Sequence, residues 1–170
     1  MTDSAPHPPD VPEPAPGWAV LGTGVDLVHV PGLAHQLTIP GTVFAERAFT
    51  ARELRDARRR ADESGSLQAE HLAGRWAAKE AVIKAWSAAA NTVAGGAVPP
   101  SMAPEAVDWR EIELVTERWG RPSIRLAAAV AAAVEGAIGR GASASDRWPV
   151  SLSHDGDYAV AVVLALGAAL

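Results

Sequence analysis

Four ionisable side chains stand out because their neighbours are apolar: Arg75, Lys79, Glu80 and Lys84 interrupt the segment RWAAKEAVIKA, which is otherwise alanine, valine, isoleucine and tryptophan. At about 100° per residue, a helix places Glu80 and Lys84 one turn apart on one side, beside Ala73 and Ala77, and Arg75 and Lys79 on another. Upstream, Asp26 follows the apolar run of WAVLGTGVDLVHV. If Asp26 and Glu80 converge, two hard carboxylates can hold a magnesium ion and leave positions for water and phosphate oxygens. Spacing alone favours simpler readings. Glu80 and Lys84 can form an i,i+4 pair on a partly solvated face, worth a few tenths of a kcal/mol, and Asp26 can cap a turn or the next helix.

Other groups are weaker candidates. Ser151, Ser153 and His154 lie at the end of an expected strand, where hydroxyls and an imidazole can donate to an anion. A Ser–His–Asp hydrolase is disfavoured because adjacent strand residues point to opposite faces and no G-x-S-x-G elbow is present. The remaining histidines, His7, His29, His35 and His71, have no metal-ligand spacing and read as surface residues. GTGVDL lacks the third glycine and the receiving helix of a dinucleotide loop. Arg52, Arg55, Arg58, Arg59 and Arg60 form a basic run that could meet an acidic partner, although such runs commonly form a solvated face.

The elements that must position these residues follow from pattern. A buried strand starts near Trp18 and ends around Asp26, followed by a turn or short helix opened by Pro31. Thr50 and Glu53 have capping-box spacing for the helix TARELRDARRR, closed by a polar loop over 62–65. A second helix, about 66–89, is built of good helix formers and is apolar around most of its circumference, which predicts burial. Residues 91–104 hold paired glycines and three prolines, and read as a long loop that cannot continue that helix. A hairpin is expected from 109–115 and 123–126, turning through Gly120 and Pro122, then an alanine-rich helix. Two apolar strands joined through 154–157 end the chain. This order predicts an α+β domain with a largely antiparallel sheet around one long buried helix.

The 170 residues, 48% hydrophobic, suit one domain, expected over 18–170 after a disordered proline-rich tail at 1–17. A net charge of -5 gives no reason to expect a nucleic-acid partner. Without cysteine there are no disulfides and no thiolate chemistry. No signal peptide or membrane span is visible, so a cytoplasmic protein is expected.

Three segments in this order, GVDLV around Asp26, WAAKEAVIKAW around Glu80 and SLSHDGDYAVA around His154, resemble the holo-[acyl-carrier-protein] synthase group of 4′-phosphopantetheinyl transferases. FAERAFTAREL and GRPSIRL extend the resemblance over about 22–164. It implies that fold, and transfer of the 4′-phosphopantetheine arm of coenzyme A to a serine of apo-acyl carrier protein in fatty acid synthesis. Adenosine 3′,5′-bisphosphate is then released. It further implies that Asp26 and Glu80 bind Mg2+, that Lys84 meets the diphosphate, and that Arg75 and His154 contact the coenzyme's phosphates or nucleotide end. Ser153, Gly120 and Pro122 would shape that pocket, and homotrimers would carry sites between subunits.

The chain departs from this pattern at AWSAAAN, where the family has glycines, in the length of 91–104, and in VHVPGLAHQL, which lacks a basic carrier-docking residue. The alternative functions are a non-catalytic module that binds coenzyme A or a carrier, and a nucleotide hydrolase. The missing P-loop counts against the second.

Overall fold

Alternation sets the first element of the computed structural model, which describes residues 15–168. Strand β1 (Trp18–His29) turns Leu21 and Val28 inward and Val25 and Leu27 outward. It runs three residues beyond Asp26, so the carboxylate lies inside the strand rather than at its exit. Helix α1 (Val30–Thr38) carries Pro31 in its first turn, and its N-cap is His29, whose Nδ1 accepts from Gly32 N. Asp26 therefore caps nothing here. Helices α2 (Phe44–Ala48), α3 (Ala51–Ser64) and α4 (Gln68–Ala94) follow, and the Thr50–Glu53 capping box closes as expected.

Helix α4 continues through Asn91 and ends where Gly95 adopts φ +69°, so the loop begins later than composition suggested. Its closest prolines, Pro99 and Pro100, lie too far on to stop it sooner. Strands β2 (Ile112–Thr116) and β3 (Pro122–Leu126) form the expected hairpin, followed by α5 (Ala128–Ile138), β4 (Val150–Asp155) and β5 (Tyr158–Ala168). The strands are antiparallel but make two sheets, β1-β5-β4 and β2-β3. The proposed tail falls largely on residues 1–14, outside the described residues. No helix among the described residues is long and apolar enough to cross a membrane.

Helix α4 is the centre of the core: Ala73, Ala77, Ala81, Val82, Ala85 and Ala89 are fully buried. These small side chains let it lie directly on β1 and on Ala159, Ala161 and Ala165 of β5. The approach is so close that a Cβ on Gly24 would overlap the Ala81 carbonyl oxygen, and one on Gly22 the Ala85 carbonyl oxygen. The glycines of GTGVDL are helix-packing positions, not a phosphate loop.

The opposite side of α4 is held by a buried ion pair. Lys79 Nζ lies 2.8 Å from Glu53 Oε2 and donates to Trp109 O at 2.8 Å. Glu53 also accepts from Thr50 N and Leu114 N, so one carboxylate joins α3, α4 and β2. Phe44, Phe49, Trp76 and Trp109 pack edge-to-face or tilted around this junction.

Candidate active site

Because β1 and α4 touch along the glycines, Asp26 on one meets Glu80 and Lys84 on the other. Lys84 Nζ lies 2.8 Å from Asp26 Oδ1 and donates to Val25 O at 2.9 Å. The i,i+4 pair that spacing favoured does not form: Lys84 turns to Asp26, not Glu80. Asp26 Oδ2 is buried without a hydrogen-bond partner among the described residues. Burial first, then the Asp26 charge, push the Glu80 carboxyl up to about 7, with Lys84 pulling the other way.

Two carboxylates thus face each other with one lysine to balance them, and one buried oxygen lacks a donor. A pair of this kind could hold a hard divalent cation that completes its shell with water and substrate oxygens. Among the described residues no group of three or more histidine or carboxylate side chains converges.

The remaining predicted residues gather elsewhere. Arg75, Gly120, Pro122, Ser153 and His154 line a cavity of about 220 Å³, together with Arg60 and His71. Asp26, Glu80 and Lys84 do not border it. Arg75 precedes Glu80 by five residues, which turns it about 140° away around α4. It is 4% exposed, donates from Nη1 to His71 O at 2.8 Å, and keeps a buried Nε without a partner. Desolvation holds its pKa below the usual arginine value, against the pull of Glu53.

His71 is held below its ordinary value by burial and then by Arg75 and Arg60, and its Nε2 lies 2.8 Å from Ser66 Oγ. Gly120, at φ +83°, makes the β2–β3 turn that brings the hairpin to the cavity. Two guanidinium groups and two imidazoles, against the single carboxylate of Glu70, favour an anion in this cavity. Ser153 and His154 both reach it, although successive on β4, because β4 is an edge strand whose margin is open to either face.

Sequence reasoning missed two residues here. His71 was assigned to the surface, yet its i,i+4 spacing to Arg75 was a usable signal. Arg60 was absorbed into a basic run of which only part is solvated: Arg59 pairs with Asp56 and Glu63, while Arg60 Nε is buried without a partner.

The outer face of β1 and β5 has no cover among the described residues. Val25, Leu27, Tyr158 and Val162 are exposed on it, Leu27 by 60%. A contiguous apolar sheet face of this kind marks an interaction surface.

Residues 22–163 match the model of the 4′-phosphopantetheinyl transferase superfamily. The chain is 49% identical over 142 residues to the holo-[acyl-carrier-protein] synthase of Corynebacterium glutamicum, covering 84% of this chain and 95% of that protein. It is 47% identical over 145 residues to that of Mycobacterium tuberculosis, covering 85% and 95%. The structure superposes on the coenzyme A complex of the synthase from Chronobacterium ammoniagenes with a TM-score of 0.72 at 44% identity, over 88% of this chain and 98% of that one. On the M. tuberculosis acyl carrier protein synthase the TM-score is 0.57 at 37% identity, over 89% and 100%.

Proposed function

The chain belongs to the 4′-phosphopantetheinyl transferase superfamily, and we propose that Asp26, Glu80 and Lys84 form the reacting part of its site. It is a holo-[acyl-carrier-protein] synthase, which moves 4′-phosphopantetheine from coenzyme A to a serine of apo-acyl carrier protein. The convergence of Asp26, Glu80 and Lys84 from separate elements carries the assignment of roles. Asp26 and Glu80 are the residues that would hold Mg2+, whose charge, when bound, would offset that of the diphosphate and polarise it for attack.

Lys84 is half exposed and can turn from Asp26 to a phosphate oxygen, where its ammonium stabilises charge on the leaving side. The serine Oγ forms the new bond to the β-phosphorus, the bond to the bridging oxygen breaks, and adenosine 3′,5′-bisphosphate leaves with the electron pair. Glu80 is the acceptor we assign to the serine proton, directly or through one water. Most of the acceleration comes from position and charge, as phosphoryl transfer requires.

The separate cavity suits the coenzyme's remaining phosphate, on the ribose, and its nucleotide end, held by Arg75, His154, Arg60 and His71 within walls that include Gly120, Pro122 and Ser153. It lies on another face of α4 from the carboxylates. We therefore assign the complete site to two neighbouring subunits of a homotrimer, each supplying one half, with the apolar outer face of β1 and β5 buried between copies. A ring closed by one repeated contact satisfies both requirements. The reaction is placed in the cytoplasm.

The test is intact-mass measurement of an apo-carrier protein incubated with the chain, coenzyme A and magnesium. The expected gain is about 340 Da, the phosphopantetheine increment of this transfer, and it disappears with EDTA or with Glu80→Gln. Coenzyme A binding without any gain, across several carriers, would leave the non-catalytic module instead.

A further inference from the structure

The turn that joins β2 to β3 carries a side chain that its geometry does not ask for. Gly120 N donates to Glu117 O at 2.9 Å and Glu117 N to Arg121 O at 2.9 Å, which closes a tight turn over 117–121. The demanding backbone position is Gly120, at φ +83°. Position 119 tolerates most residues, and turns are ordinarily filled by glycine, proline, asparagine, aspartate and serine. Here it holds Trp119, which is 75% exposed, more than any other large hydrophobic side chain among the described residues. An indole so placed adds nothing to the core.

Its surroundings point to a flat ligand. Thr116, Gly120 and Pro122, on either side of Trp119 in this hairpin, line the anion cavity of about 220 Å³. No atom lies within 4 Å of where a Cβ on Gly120 would stand, so the way from residue 119 to the cavity mouth is unobstructed there. The cavity supplies guanidinium and imidazole groups, but no phenyl or indole ring among the described residues lines it. It is smaller than the roughly 300 Å³ at which pockets begin to enclose an organic ligand whole. A ribose phosphate held by Arg75 and His154 therefore leaves its base at the mouth, beside Trp119. Arg118 covers one face of the indole, its Cζ 5.2 Å from the ring centroid, and the exposure of the ring leaves the other face open. Exposed side chains change rotamer in picoseconds to nanoseconds, so the indole can swing over the mouth without moving the hairpin.

We propose that Trp119 binds the purine of the coenzyme's nucleotide end by stacking, with Arg118 on the outer face of the indole. This rests on the placement of that nucleotide end at Arg75 and His154. Every base has a π-face, so such a contact ranks bases by stacking strength rather than by hydrogen bonds, and favours a purine over a pyrimidine. It touches no bond of the reaction. It acts on the binding of the donor and on the release of adenosine 3′,5′-bisphosphate.

Binding of adenosine 3′,5′-bisphosphate and of cytidine 3′,5′-bisphosphate to the whole protein is measured by titration calorimetry. The unmodified chain is expected to bind the adenosine compound at least about threefold more tightly. Trp119→Ala raises the Kd of the adenosine compound by at least about fivefold and removes most of that difference, while Trp119→Phe, which keeps a smaller ring, loses less. In the transfer assay the loss in Trp119→Ala falls on KM for coenzyme A rather than on kcat, as a contact made equally in ground and transition states requires. Circular dichroism and native mass check that the fold and assembly are kept.

An unchanged affinity of Trp119→Ala for adenosine 3′,5′-bisphosphate overturns the proposal. So does a rise in KM for the carrier protein, or a change in oligomeric mass, as the sole effect of that substitution, because the indole then serves a protein surface. Failure of the underlying placement reads differently: Arg75→Ala would then also leave the affinity for adenosine 3′,5′-bisphosphate unchanged.

Discussion

If the site is shared between subunits, two defective chains should repair each other. Glu80→Gln removes a carboxylate of the reacting cluster, and Arg75→Ala removes a guanidinium of the anion cavity, on faces of α4 about 140° apart. In a ring, each site takes Glu80 from one subunit and Arg75 from the next. With equal random co-assembly, half of the subunits supply an intact Glu80 and half of their neighbours an intact Arg75, so about one site in four is complete. If each chain formed its own site, every site would carry one lesion and none would be complete.

The assay co-expresses the two chains with different tags, purifies by both, confirms mixed oligomers by native mass, and measures transfer at coenzyme A well below the unmodified KM. There the loss in Arg75→Ala, which weakens binding, is fully expressed. Selection for both tags removes the unmixed rings, and every mixed trimer has one complete site of three, so the expected rate is about a third of that of the unmodified protein per chain. Activity no greater than the mean of the two parents, in verified mixed oligomers, refutes the shared site.

Asp26→Asn should abolish transfer while far-ultraviolet circular dichroism stays unchanged, since the buried carboxylate is replaced by an isosteric amide. Glu80 gives a pH signature in metal-free protein: its folded pKa of about 7 lies above the ordinary 4.5. Its contribution is therefore full below pH 4.5 and is lost as pH rises through 7, by about 1 kcal/mol once solvent screening of this half-buried group is allowed for. Denaturation across that range should show the slope, and Glu80→Gln should remove it. Gly24→Ala should cost about 3 kcal/mol in urea unfolding, because the new methyl meets backbone that cannot retreat without lifting α4 from β1. Lys79→Met should cost about 3–5 kcal/mol by stranding the buried Glu53 carboxylate, and adding Glu53→Gln should recover part of that loss.

The parts of this molecule legible in the sequence were those written in local chemistry. The capping box at Thr50 and Glu53, the hairpin around Gly120 and the alternation of β5 each depend on residues a few positions apart. The end of α4 was misplaced because composition marked Asn91 as a break, whereas no residue before Gly95 prevents a helix. Spacing favoured a Glu80–Lys84 pair because the partner of Lys84, Asp26, lies 58 positions away, and i,i+4 spacing offers a nearer one. The buried Glu53–Lys79 pair was invisible for the same reason: on a sequence, Lys79 is one more charge beside Glu80. What the family resemblance added was the long-range pairing that periodicity cannot contain.

That adjacency of Lys79 and Glu80 explains how the site is held. Successive helix residues point about 100° apart, so a lysine locked on one side of α4 fixes the direction of the glutamate that follows it. Lys79 is clamped by Glu53 and the Trp109 carbonyl, and the other side of the helix is pressed onto Gly22 and Gly24. Between these two contacts α4 can neither roll nor lift. A rotation of one residue would carry Glu80 away from Asp26 and leave the lysine charge without its buried partner. The same two contacts therefore serve stability and geometry, and the carboxylates can be held in mutual repulsion because the packing on both sides of them is already fixed.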